Sequence, residues 1–168
     1  MGNKKLLSVR RLRAEDARSY RGALIEALVV HSDCFLEDYN AELSRPLTEI
    51  EQELEQSGTF GAWYGALLVG IASEVPCTEA KRRHCGNVRN LYVREEYRRR
   101  GIGGRLLREI LLYAADDLQQ LEARVPFRCE RGVRLFEKFG FRMVGLLPNA
   151  LKVDKEAIDV WTMSLQLL

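Results

Sequence analysis

The chain has 168 residues, and its 26 Lys and Arg against 24 Asp and Glu leave a formal net charge of +2. An apolar fraction of 46% and a charged fraction of 30% exclude a disordered, collagen-like or membrane-spanning chain. The near-zero charge also speaks against a dedicated nucleic-acid binder, which needs a strong basic excess. The length suits one domain over residues 1–168, large enough to hold a core without staples.

Taken in chain order, Leu6 to Leu12 reads as a first strand and Ala14 to Val30 as an amphipathic helix, with Leu24, Ala27 and Leu28 inward and Arg18 and Arg21 outward. Leu43 to Gln56 reads as a second helix ending before Gly58. Thr59 to Tyr64 and Ala66 to Val75 form a hairpin around Gly65, and Cys85 to Val93 is a fourth strand. Ile102 to Asp117 carries the clearest helical stripe: Leu106, Leu107, Ile110, Leu111 and Ala114. Leu121 to Val125 is a short buried strand, and Arg131 to Phe139 is a helix stopped by Gly140. Phe141 to Leu147 and Ile158 to Leu167 are the last strands, separated by a polar loop from Pro148 to Ala157. The order β-α-α-β-β-β-α-β-α-β-β implies a mixed sheet with helices on its faces.

Cys34, Cys77, Cys85 and Cys129 are widely spaced with no C-x-x-C pair, so they are expected to be isolated reduced thiols. His84 beside Cys85, with Cys77 upstream, is the one grouping that suggests a metal, and no metal is expected. The N-terminal M-G-N-K-K-L-L has no apolar signal core, and Ala23 to Val30 is too short to span a bilayer and contains Glu26. The expected location is cytoplasmic, with no membrane partner.

The stretch N-L-Y-V-R-E-E-Y-R-R-R-G-I-G-G-R-L-L, Asn90 to Leu107, carries the chemistry. A strand runs into Arg98, Arg99, Arg100, Gly101, Ile102, Gly103, Gly104 and Arg105, and a helix begins at once. Glycines at a helix start leave backbone N–H groups bare, which with the helix dipole makes an anion site; arginines add charge-assisted hydrogen bonds. A Walker loop would need Gly-Lys followed by Ser or Thr, and G-x-G-x-x-G would need Gly where Leu106 stands. The segment fits R-x-x-G-x-G instead, on Arg98, Gly101 and Gly103.

In this motif the chain resembles the GNAT family of N-acetyltransferases. G-V-R-L-F-E-K-F-G-F (Gly132 to Phe141) is similar to the family's second block, and Pro148 to Leu165 to its closing hairpin. The resemblance covers nearly the whole chain. It implies a GNAT fold: an α/β, mostly antiparallel mixed sheet of about seven strands flanked by about four helices, with a splayed slot between the fourth and fifth strands. It implies acetyl-CoA as co-substrate, its pantetheine arm along the backbone of Leu91, Tyr92 and Val93. The pyrophosphate would sit on the Arg98 to Arg105 loop, with Cys129 and Phe136 as further cofactor contacts. The activity implied is acetyl transfer to a primary amine by direct attack, a backbone N–H of the fourth strand stabilising the oxyanion. Pro126, past the fifth strand, is consistent with strand pairing ending there.

Three positions depart from the family pattern. The usual carboxylate bases of the fourth strand fall on Asn87 and Arg89, leaving Glu74 as the candidate base. The usual tyrosine acid is Phe136, leaving Tyr92 as the candidate acid. Cys129 replaces a common Asn. These departures motivate an alternative, a CoA-binding regulatory module without turnover.

The charge is unevenly spread. Asp33, Glu37, Asp38, Glu42, Glu49, Glu51, Glu53 and Glu55 meet only Arg45, whereas the stretch from Lys81 to Arg105 is strongly basic. That polarity suits an anionic cofactor and a cationic amine acceptor, with His31 and Tyr39 as possible acceptor contacts. The basic stretch offers few stacking aromatics beyond Tyr92 and Tyr97, so no nucleic acid is expected. The resemblance also allows a homodimer through edge strands.

Overall fold

In the computed structural model, which describes residues 6–167, the chain begins with an alternating strand, β1 (Leu7–Arg11). Arg10 and the backbone N–H of Arg13 both donate to Asp16, which fixes a short 3-10 turn ahead of α1 (Ala17–Val30). Tyr20, Ala23, Leu24, Ala27 and Leu28 recur at helical spacing and are buried.

One helix was expected from Leu43 to Gln56; the structure has two, α2 (Tyr39–Ser44) and α3 (Leu47–Gln56). The cause is Pro46, which keeps Arg45 out of the helical region (φ −66°, ψ 128°) and itself starts α3. Arg45 then ties the pieces together, pairing with Glu42, Glu49 and Glu53.

The remaining elements are β2 (Gly58–Tyr64), β3 (Leu67–Pro76), β4 (Cys85–Val93), α4 (Ile102–Ala114), β5 (Gln120–Pro126), α5 (Glu130–Lys138), β6 (Arg142–Val153) and β7 (Glu156–Gln166). The expected polar loop from Pro148 to Ala157 is instead the end of a long β6–β7 hairpin. Asp154 and Lys155 both take positive φ (49° and 70°), as a two-residue hairpin turn of the primed kind requires. Pro148 is tolerated because β6 is an edge strand, and the register slip between Leu147 and Leu151 absorbs it.

The seven strands form one sheet in the order β1-β2-β3-β4-β5-β7-β6, and only β4–β5 is parallel. With five α-helices among the described residues, one more than the expected number, this is the mixed, mostly antiparallel architecture that the resemblance implied. Leu12, Tyr20, Leu24, Ile50, Leu54 and Ile71 form a core on the α1 and α3 side. Ala72, Val88, Leu106, Ile110, Leu121 and Phe136 form the core on the α4 and α5 side. No helix of the described residues is long and apolar enough to cross a membrane.

Candidate active site

The parallel pairing of β4 with β5 covers only Cys85–Val88 against Gln120–Ala123. Beyond these residues the strands part, so Leu91, Tyr92 and Val93 have no partner on the β5 side. Pro126 was expected to end the pairing, but the separation begins earlier, after Ala123. Its cause lies in β4. The β3–β4 register slips between Ile71 and Ser73, and Asn90 there takes a positive φ of 55°. This bulge bends β4 away from β5 and re-aims its side chains. Asn90 is held by its neighbours: its amide nitrogen donates to the Glu37 carboxylate (3.0 and 3.1 Å) and its oxygen accepts from the Tyr20 hydroxyl (3.1 Å).

The slot opens into a cavity of about 1220 Å³. One wall is the α1–α2 connection, with His31, Cys34, Phe35 and Glu37; the other is α5 and its cap, with Cys129, Leu135 and Phe136. At one end lie Gly101, Ile102, Gly103 and Gly104. Gly101 sits at the cap of α4 with φ 73°, a conformation that favours glycine. The first intrahelical bond runs from Arg105 N–H to the Gly101 carbonyl (3.0 Å), so the N–H groups of Ile102, Gly103 and Gly104 are bare. Gly103 has a second reason to lack a side chain: a Cβ there would lie 3.1 Å from Leu135 Cδ2.

The arginines of this loop divide by role. Arg99 lines the cavity at a positive φ of 61°. Arg98 also lines it, but its guanidinium is engaged, donating to the Val93 carbonyl (2.8 Å) and to His31 Nε2 (2.8 Å). It braces the loop against β4 and α1. Arg100 and Arg105, both expected at the cofactor, fall outside the cavity lining. Arg100 instead donates to the Glu96 carbonyl and stacks over Tyr97, because the turn that presents Arg99 inward directs its neighbour outward. Leu91, Tyr92, Val93, Cys129 and Phe136 all line the cavity.

The two proposed catalytic side chains fare differently. Glu74 lies outside the cavity lining. Successive residues of β3 alternate faces, so Ser73 bonds Thr59 and Tyr20 on the α1 side while Glu74 points to the α4 side. There it is 1% exposed, between Gly58 and Gly86, and its Oε1 has no partner. Burial pushes its carboxyl up to about 7. Tyr92 does line the cavity, on the α1 side, but its hydroxyl donates to Glu26 Oε1 (3.0 Å). Burial, and then that bond, push its hydroxyl up to about 12, which makes it a weaker acid than an ordinary tyrosine.

The cavity also brings in His31, expected as an acceptor contact, and Glu37, which sequence reasoning did not single out. His31 accepts from Arg98, and burial followed by the Arg98 charge lowers its pKa, so a neutral imidazole faces the cleft near neutral pH. Glu37 pairs with Arg89 (2.7 Å) and borders both this cavity and a smaller one of about 210 Å³. The signal for Glu37 was available, since it follows α1 in the acidic run, yet it was one carboxylate among eight. Tyr39 does not line the cleft. Nor does the acidic run gather there: Glu42, Glu49 and Glu53 are spent on Arg45, and Glu55 on Arg13.

The expectation of four isolated thiols is corrected as well. Cys34 and Cys129 are disulfide-bonded across the cleft, with Cα atoms 5.5 Å apart, whereas Cys77 and Cys85 are buried and free. Among the described residues no group of His, Cys, Asp and Glu could hold a metal ion.

Comparison with known proteins gives this geometry its context. The model of the Acetyltransferase (GNAT) family matches residues 17–141. A search of curated proteins finds no match. Among solved structures, a GNAT-family acetyltransferase from Streptococcus pneumoniae is 22% identical, with a TM-score of 0.86 over 97% of this chain and 100% of that one. The yncA structure from Salmonella typhimurium, solved with its cofactor acetyl-CoA, is 17% identical (TM-score 0.83; 97% of this chain, 95% of that one). A ribosomal-protein-alanine N-acetyltransferase from Brucella melitensis is 22% identical (TM-score 0.82; 95% and 99%). The family match spans both the strand–loop–helix unit with its bare N–H groups and the wall that carries Phe136, and on that basis the chain belongs to the GNAT family of acetyl-CoA-dependent acetyltransferases.

Proposed function

We propose that the protein transfers the acetyl group of acetyl-CoA to a primary amine of a small molecule, peptide or protein. The observation that carries this reading is the slot between β4 and β5, which leads from the bare N–H groups of α4 into the large cavity. Phosphates would sit on Ile102, Gly103 and Gly104, with Arg99 adding charge, and the pantetheine arm would extend β4 along Leu91 to Val93. The acceptor nitrogen forms a bond to the acetyl carbonyl carbon; the carbon–sulfur bond breaks and the CoA thiolate leaves. A free backbone N–H in the unpaired part of β4 suits the oxyanion of the intermediate.

An amine that is protonated in solution must lose a proton before it attacks. Glu37 is one of the carboxylates of the cavity wall, with Glu79 and Glu130, and the one held by Arg89 and Asn90; we assign it the proton-accepting role, directly or through water. The CoA thiolate takes its proton from solvent, since Phe136 has none to give and the Tyr92 hydroxyl is occupied by Glu26.

Thiol release, followed with a thiol reagent across a panel of amino acids, polyamines, peptides with free N-termini and lysine peptides, tests the reading. At least one acceptor is expected to turn over, and Glu37→Gln to lower its kcat by about 100-fold while acetyl-CoA affinity stays within a few-fold. Saturable acetyl-CoA binding with no turnover anywhere in the panel would favour the second reading, a regulatory module. The loss of a tyrosine at Phe136 and the placement of Glu74 outside the cleft support that second reading.

A further inference from the structure

We infer that Cys34 and Cys129 form a thiol–disulfide exchange site that straps the cleft, closed to the cofactor when oxidised and opened by thiols, CoA among them. The inference rests on the cofactor reading above and concerns the control of that same cleft. The two cysteines lie 95 residues apart in sequence and are bonded. Cys34 ends the short turn after α1, and Cys129 is the cap of α5. Both line the cavity, one on each wall, so the bond limits how far the walls can separate.

Two features single out the cleft, rather than the fold, as what this bond acts on. First, the described core covers both faces of the sheet, and the other two cysteines are buried and unbonded, so the pattern is not that of a disulfide-stapled scaffold. Second, neither the Ser32–Cys34 turn nor α2 contains a buried residue. Phe35 and the polar ties of His31 and Glu37 hold this wall to α1, β4 and the loop before α4, and the covalent link joins it to α5 across the cleft.

The chemistry is available at the site. Cys129 stands at the positive end of α5 and beside Arg131 in the lining, a setting that favours a departing thiolate. A thiolate RS⁻ attacks Cys34 Sγ, the Cys34–Cys129 bond breaks, and Cys129 leaves as thiolate, giving RS–S–Cys34. A second RS⁻ attacks the RS sulfur of that mixed disulfide, releasing RSSR and the Cys34 thiolate. Two electrons pass from the thiols to the protein, and a low-molecular-weight disulfide reverses the sequence.

The test uses the full-length protein equilibrated with glutathione disulfide or with dithiothreitol, then split between two assays. Alkylation after denaturation, read by intact mass, is expected to add two groups to the oxidised form and four to the reduced form, from the four cysteines of the chain. Calorimetric titration with acetyl-CoA is expected to give about tenfold weaker binding by the oxidised form. Cys34→Ser, which cannot form the bond, is expected to bind like the reduced protein in both buffers. Four alkylations after oxidation, or equal or tighter binding by the oxidised form, overturns the inference. Absence of binding by both forms sinks the cofactor reading and the gate with it, whereas a redox-independent affinity sinks the gate alone.

Discussion

Gly103→Asp is expected to weaken acetyl-CoA binding by at least about 100-fold, which corresponds to about 3 kcal/mol, while leaving the protein folded. The two effects separate because of where Gly103 sits, in the first turn of α4 among the bare N–H groups of Ile102 and Gly104. A carboxylate there is favourable to the helix itself, since it meets the positive end of the dipole. It also fills the anion position from within the chain and repels an incoming pyrophosphate. The new Cβ must displace Leu135 Cδ2, which is 3.1 Å away but at the flexible end of its side chain. Gly103→Ala controls for that crowding and is expected to keep affinity within about threefold. Calorimetry on the three proteins, with circular dichroism for the fold, makes the comparison. Undiminished binding by Gly103→Asp would remove the phosphates from α4.

Glu74→Gln is expected to stabilise the protein at pH 8 and to change it little at pH 5. Burial raises the Glu74 carboxyl from 4.5 to about 7 in the folded state, so the folded protein binds this proton more tightly than the unfolded chain does. Stability from this group is therefore complete below pH 4.5, declines as pH rises toward 7, and is lost above it. Ionisation at pH 8 costs up to about 3 kcal/mol, against under about 1 kcal/mol at pH 5. Glycine makes room for the side chain, since a Cβ at Gly86 would lie only 2.3 Å from Glu74 Oε1. Glutamine keeps that shape without the charge, so denaturant melts of the two proteins should converge at pH 5 and part at pH 8. An equal difference at both values would show that Glu74 does not titrate in this range. Acetyl transfer by Glu74→Gln is expected to persist, because the residue lies outside the cavity lining.

The anion loop was legible in the sequence because its parts are consecutive: strand, arginines, glycines and amphipathic helix all fall between Asn90 and Leu107. The same locality misled at Pro148, where a proline in an edge strand looks like a proline in a loop. At Pro46 the apolar and acidic pattern ran on through a residue that breaks the helix. The catalytic side was less legible for a different reason. Alternation along β3 shows that Ser73 and Glu74 face opposite ways, but which face carries α4 is a property of the assembled sheet. The Asn90 bulge, which sets where Tyr92 points, depends on Tyr20 and Glu37 from distant segments. The meeting of Cys34 with Cys129 is equally non-local, and spacing alone could not reveal it.

A crystal structure of the protein with CoA tests the central claim most directly. The account predicts the pyrophosphate within hydrogen-bonding distance of the N–H groups of Ile102, Gly103 and Gly104, with the pantetheine arm paired to Leu91–Val93 in the opening between β4 and β5. Phosphates bound elsewhere, or a pantetheine arm outside that opening, would contradict it.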